Sequence, residues 1–424
     1  MDATKLSNRA LFAVSVVLTG ALAGAFVWLL LFVMNLGITF VWTLLPAQFG
    51  PLFPLAACLI GGLVIGLYAK RFGSYPEELD EVMSTVRRTG RYEYDKIGIV
   101  SVAALLPLFF GGSVGPEAGL TGAIAGICTW VGDRMKRFGS DFRQLTSVGT
   151  MATISAIFTA PLFGFVAPLG EKSAQDGSEA ITIPRTSKVI VYFCAIAGAL
   201  GTFLGLSTLF GGGLSLPHYQ DIALGGRELA WLIPLALVGC AAGWLYGVLD
   251  GAFTHLSQRL GDRPVQKAVI AGLILALCGI AFPFTMFAGE TQAEQIGEAW
   301  MSMGVLTLLA TGFLKVFATC LCIRFGWRGG HFFPLIFAGI SLGYGMATVS
   351  GADPVFCLCA CTSALMGAVM RKPFMAVLLL FLCFPVKGVF VMIACAALGA
   401  AVPLPKAFRR SPAPQAKENE RPEK

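Results

Sequence analysis

Charge is scarce in this chain. Only 13% of the 424 residues are Asp, Glu, Lys or Arg, and the histidines number three, His218, His255 and His331. Against them stand 56% hydrophobic residues and a mean hydropathy of +0.75, more apolar surface than a soluble core could hide. The shortage excludes a soluble globular protein and leaves few candidates for a general base. CxxC pairs are lacking too. Cys357-Leu-Cys-Ala-Cys361 spaces its thiols two apart with no histidine or acid beside them, so it offers no metal ligands. All twelve cysteines lie in apolar runs and read as small core residues. Nor is there a signal-peptide core of ordinary length near the N-terminus, because the first apolar stretch is far too long.

What the chain has is a succession of membrane-grade segments. Apolar runs fall near 11–44, 49–69, 97–131, 146–169, 188–212, 229–252, 267–288, 300–323, 331–349, 354–370 and 373–404. Several approach the ~20 residues that a spanning helix needs. The first is too long for one simple span and implies either a tilted helix with an extension or two shorter ones. The net charge of +7 is a matter of location. Lys5 and Arg9 precede the first run and Lys406, Arg409 and Arg410 follow the last, which predicts cytoplasmic termini in a plasma membrane, most simply a bacterial inner membrane. Such a distribution is topology and implies no nucleic-acid partner. The expected organisation is an N-terminal helix region over 1–48, a first membrane repeat over 49–185, a second over 186–405 and a disordered tail over 406–424.

One of these runs is broken. Gly111-Gly-Ser-Val-Gly-Pro-Glu-Ala-Gly119 sets four glycines, a proline and a carboxylate between the apolar stretches 97–110 and 120–131. In a helix interior each glycine costs about 1 kcal/mol and a proline about 3 relative to Ala, so an uninterrupted span has no use for them. Irregular backbone at membrane depth is tolerated where it is buried in protein or lines a cavity. Pro116 suits the first turn of a following helix, whose positive end and open N–H groups attract an anion.

The pattern recurs. Gly329-Gly-His-Phe-Phe-Pro334 repeats Gly-Gly-x-x-x-Pro 218 positions after Gly111. Lys372-Pro-Phe-Met-Ala376 follows it as Ala160-Pro-Leu-Phe-Gly164 follows the first, and the acidic stretch from Gly289 matches that from Gly73. Two half-chains with matched broken helices are the signature of a transport protein whose site lies at the repeat interface near mid-membrane. If the repeats are inverted, helix N-termini from both halves converge there and select an anion. The fold class expected is an all-α polytopic membrane protein of two inverted repeats.

These landmarks resemble those of the CLC family of chloride channels and proton-coupled chloride antiporters. Gly112-Ser-Val-Gly-Pro116 is similar to the family's Gly-Lys/Arg-Glu-Gly-Pro segment, Gly329 to Pro334 to its Gly-x-Phe-x-Pro segment, and Gly73-Ser-Tyr-Pro-Glu77 is a shortened likeness of Gly-Ser-Gly-Ile-Pro-Glu. The resemblance implies a homodimer with one pore per subunit, no cofactor, and chloride or a similar small anion held by backbone amides. A central anion would meet the amides of His331 and Phe332, between Gly330 and Phe333, and the hydroxyl of Ser74, although the shortened segment leaves Gly73 as an alternative partner. An outer site would use amides around Gly112, Ser113, Val114 and Gly115. The family's gating glutamate falls on Val114, which favours a constitutively open channel, and no tyrosine follows Tyr344. Glu171 stands at the proton-handling position.

Two acids are candidates for a gate or a proton carrier, Glu117 and Glu171. Glu117 lies one helical turn past Val114, where a carboxylate also serves as an ordinary helix-dipole partner. Lys315, in mid-run, faces protein or an anion-attracting vestibule, and Ser74 with Pro76 and Glu77 reads as a helix start. A rival from another class is an intramembrane serine protease, since Gly339-Ile-Ser-Leu-Gly343 fits a nucleophile-elbow pattern. A second is a carrier of organic anions, which the phenylalanines beside both breaks disfavour by their bulk. The sequence favours an anion channel over proton-coupled exchange through Glu117 and Glu171, and no enzyme.

Overall fold

The computed structural model describes residues 3–45, 52–89, 91–134, 185–213, 216–381 and 383–403. Glu171, the Ala160 to Gly164 landmark and the tail fall outside them. The described residues are almost wholly helical. Proline and glycine set where the long helices stop, and burial sets which face turns inward.

The first run is a single helix, α1 (Ala3–Thr39), closing in a π-helical turn over Phe40–Leu44. No proline interrupts it, so the two-helix alternative is not realised. Then come α2 (Phe53–Phe72), α3 (Leu79–Thr89), α4 (Ile97–Phe109) and α5 (Glu117–Arg134). The second set is α6 (Arg185–Phe210), α7 (Gly226–Arg259), α8 (Pro264–Ala281), α9 (Glu290–Ala299), α10 (Val305–Arg324), α11 (Phe332–Ser350), α12 (Pro354–Met370), α13 (Pro373–Leu380) and α14 (Val389–Ala401). Seven of the described helices are long and apolar enough to cross a membrane.

Small residues let these helices close up, as van der Waals packing in lipid requires. A Cβ on Gly20 or Gly24 of α1 would come 2.2 or 2.4 Å from the carbonyls of Ala195 and Ala199 on α6. In α12, Cys357, Cys359 and Cys361 are fully buried, where they pack as small hydrophobes. The most enclosed long element is α11, buried from Phe332 to Ala347 and packed between α10 and α12. That position sets its N-terminus at the centre of the molecule, opposite the first break.

The expected helix start at Ser74 is not realised. Gly73 ends α2 with φ +98° and an N–H bonded to the Ala69 carbonyl at 2.9 Å. Residues 73–78 are spent leaving that helix, and α3 begins at Leu79.

Candidate anion site

The two breaks meet. Gly112 N–H turns back onto the Pro107 carbonyl at 2.7 Å, ending α4, while Trp327 N–H bonds the Cys322 carbonyl at 2.9 Å past the end of α10. From these turns Gly115 and Gly330 reach each other and exchange two backbone hydrogen bonds, at 2.8 and 2.7 Å, in an antiparallel bridge. Antiparallel contact between corresponding landmarks is what inverted repeats produce.

Glu117 opens α5 beside this bridge. Helical side chains lean toward the preceding turn, so its carboxylate reaches back over the break instead of along the helix. Oε1 accepts the Phe332 N–H at 2.7 Å, at the first residue of α11. Oε2 is buried with no hydrogen-bond partner, and the residue is only 2% exposed. Both bridging glycines are needed for this pose. A Cβ on Gly330 would lie 1.8 Å from the Glu117 carboxyl carbon, and one on Gly115 would lie 1.9 Å from Oε2. A carboxylate thus sits between the two bridging glycines, at the place where the sequence reading expected an anion.

The neighbouring N–H groups are less open than the sequence suggested. Those of Gly112, Val114, Gly115 and Gly330 already donate to the carbonyls of Pro107, Gly112, Gly330 and Gly115. An outer anion at Val114 or Gly115 would have to displace backbone bonds, which residue-by-residue transfer of a motif could not reveal. Ser113 is fully buried with its hydroxyl 3.2 Å from that of Thr319, and Val114 is fully buried against Gly329. Phe332 and Phe333 are buried, and the His331 ring stands against Tyr246 and Phe332 with centroids 5.7 and 4.6 Å away, as a wall. Ser74 is exposed, and its carbonyl takes a hydrogen bond from Arg328 at 2.9 Å, tying that segment to the second break.

Lys315 does not face a vestibule. It is fully buried, and its ammonium donates to the carbonyls of Thr285, Met286 and Phe287 at 3.2, 2.8 and 2.6 Å. Phe287 N–H in turn bonds the Gly111 carbonyl at 3.0 Å. Lys315 therefore pins a loop of the second half onto the first break. The loop leads into Glu290, the first residue of α9, a buried carboxylate that sequence reasoning did not single out. Its signal was its place in the acidic stretch repeated from Gly73.

The protease reading finds no support. Ser341 lies in mid-helix, fully buried, with its hydroxyl bonded to the Leu308 carbonyl at 2.7 Å. Gly339 and Gly343 are packing surfaces for Thr362 and Leu358.

With this geometry established, comparison with known proteins is decisive about kinship. The model of the voltage gated chloride channel family matches residues 61–403. The chain belongs to that family. YfeO of Salmonella paratyphi A, named as an ion-transport protein, is 26% identical over 342 residues, covering 78% of each chain. Its Salmonella schwarzengrund counterpart is 26% identical over the same length and coverage. Among solved structures, a slow cyanobacterial Cl⁻/H⁺ antiporter superposes with a TM-score of 0.73 at 20% identity, covering 91% of this chain and 93% of that one. A CLC-type fluoride/proton antiporter gives 0.71 at 18%, with 94% and 96% covered. The CLC fold and an anion-transporting membrane protein follow. At these identities the two structures speak for fold alone.

Proposed function

We propose that this CLC protein exchanges a small anion, chloride by default, for protons through the cradle at the N-terminus of α11, with Glu117 as the group that vacates it. The single observation carrying this reading is the Glu117 Oε1 to Phe332 N–H bond of 2.7 Å. An ion entering the cradle takes over that N–H and the dipole of α11, and cannot do so while the carboxylate holds them. Protonation removes the carboxylate's charge and with it the advantage of a charge-assisted bond. Ion entry and proton uptake are therefore linked through one side chain. Amides of His331, Phe332 and Phe333 would replace the ion's hydration shell. A homodimer in a bacterial plasma membrane with both termini cytoplasmic completes the proposal.

A passive channel remains the second reading, favoured by the apolar Val114 at the family's gating position. The two separate in one experiment. Purified protein in liposomes carrying a chloride gradient is followed for anion efflux and proton movement together. Uphill proton movement driven by the chloride gradient supports exchange; efflux with no obligatory proton movement rejects it in favour of the channel.

A further inference from the structure

Cations gather at one end of the α2 and α8 pair without acids to match them. The two helices lie antiparallel in close contact: a Cβ on Gly66 would come 2.5 Å from the Val265 Cα, one on Gly62 2.6 Å from the Ala268 carbonyl oxygen, and one on Gly272 2.3 Å from that of Cys58. The last turn of α2 therefore lies beside the turn that joins α7 to α8. Lys70 and Arg71 come from α2, Arg259, Arg263 and Lys267 from around that turn, and all but the half-buried Lys267 are exposed. Asp262 is the sole acid within 53–76 and 251–273.

Helix ends account for only part of this group. Lys70, Arg71 and Arg259 suit the negative C-terminal ends of α2 and α7, but Arg263, at the N-cap of α8, and Lys267, in its first turn, stand at a positive end where a carboxylate would be expected. The preference of cations for one side of a membrane sets where they lie, not whether they are paired. At the same end of the molecule Arg324 is paired with Asp250 and Glu78, Lys96 with Glu93, and Arg328 with the Ser74 carbonyl. The five cations of this corner form no ion pair among the described residues, and Arg263 reaches only the Gln266 amide, at 3.4 Å.

The surroundings are those of a lipid interface. Arg71 lies 5.4 Å over the Phe72 ring, the Tyr68 ring packs against the same ring at 4.7 Å, and Phe72 is 42% exposed. Further along the two helices, Leu63 and Leu67 of α2 and Ile270 and Leu273 of α8 turn exposed apolar side chains outward.

We propose that this corner binds the headgroup of an anionic phospholipid, with the phosphodiester held by the guanidinium forks of Arg71 and Arg263 and the acyl chains lying on the exposed leucines and isoleucine. Arginine matches phosphate oxygens two at a time, and basic side chains at a membrane surface are drawn to anionic lipid. A zwitterionic headgroup brings its own ammonium and gains little here. The site is separate from the anion cradle and holds under either transport reading. Because α2 leads through Gly73 to Ser74, an occupied site anchors the segment that Arg328 ties to the second break.

Purified protein in detergent is titrated with phosphatidylglycerol or phosphatidylcholine, and bound lipids are counted by native mass spectrometry. Wild-type protein is expected to retain phosphatidylglycerol in preference, and the double variant Arg71→Gln with Arg263→Gln to weaken that retention about tenfold, the scale of two cations lost beside an anionic surface. Lys387→Gln, which removes an exposed cation beyond the opposite end of α7, is expected to leave it unchanged. Equal retention of the two lipids, undiminished retention by the double variant, or an equal loss in Lys387→Gln overturns the proposal. So does displacement of the lipid by an equimolar amount of glycerol 3-phosphate, which would mark a site for a free phosphate ester. Should the double variant not be recovered, wild-type protein is irradiated with a photoactivatable phosphatidylglycerol: crosslinks concentrated on residues 63–72 and 259–273 are expected, and crosslinks spread evenly over the exposed helices overturn it.

Discussion

Glu117 and Phe332, 215 residues apart in sequence, are joined by a hydrogen bond of 2.7 Å from the Phe332 N–H to the Glu117 carboxylate. The contact makes a definite prediction about pH. The ionised carboxylate competes with a permeant anion for the same N–H, whereas the neutral acid has lost the charge that made it a strong competitor. Anion flux should therefore rise as pH falls. Glu117→Gln, neutral at every pH, should show a flux that no longer varies with pH and no proton coupling. Chloride efflux measured across a pH series checks both; coupling that survives in Glu117→Gln would eliminate this residue as carrier.

How far the sequence foretold this site can be judged from particular residues. The glycines and prolines of both breaks are visible because their cost in a helix is large and local, so the repeat, the inverted fold and the meeting of Gly115 with Gly330 were all within reach. Glu117 was visible as an acid in membrane sequence, but its pose depends on how the first turn of α5 lies against α11. The open amides expected at Val114 and Gly115 were misjudged for a similar reason: the bridge that joins the halves consumes them, and no motif records a pairing over 200 residues away. Lys315 shows the same limit. Its charge was legible, while the three carbonyls that accept its hydrogen bonds belong to a loop near residue 286.

Glycine substitutions should separate site from scaffold. A Cβ at Gly115 meets the end of a flexible side chain, the Glu117 carboxylate, whereas a Cβ at Gly339 meets the Thr362 backbone and hydroxyl at 2.6 and 2.5 Å. Gly115→Ala should fold with little loss of thermal stability and should displace Glu117, altering the pH dependence of flux. Gly339→Ala should destabilise by about 1–3 kcal/mol, the usual cost of overpacking. Thermal unfolding in detergent compares them, and equal losses would argue against the cradle being adaptable.

Lys315→Met tests whether this lysine is structural. Removing the ammonium leaves three buried carbonyls without their donor and loosens the loop that carries Glu290, at a cost of about 1–3 kcal/mol for each group left unsatisfied. A large fall in thermal stability is expected, with misplacement of the loop at residues 285–289. A residue that only drew anions into a vestibule would behave otherwise: its neutral substitute would keep its stability and lose flux chiefly at low salt.

Arg324 and Asp250 provide the corresponding test at the end of α10. The guanidinium grips the carboxylate in a fork, Nε to Oδ1 at 2.6 Å and Nη2 to Oδ2 at 2.9 Å, and a third contact of 3.0 Å reaches Glu78 in the first half. Asp250 is only 8% exposed, so the pair is largely removed from water. Breaking such a pair from one side leaves an uncompensated charge and costs about 3–5 kcal/mol. Arg324→Gln should accordingly be far more damaging to thermal stability than the double substitution Arg324→Gln with Asp250→Asn, in which no buried charge is stranded. If the single and double variants unfold together, the ion pair is not what joins α10 to α7, and the Glu78 contact between the two halves becomes the stronger candidate.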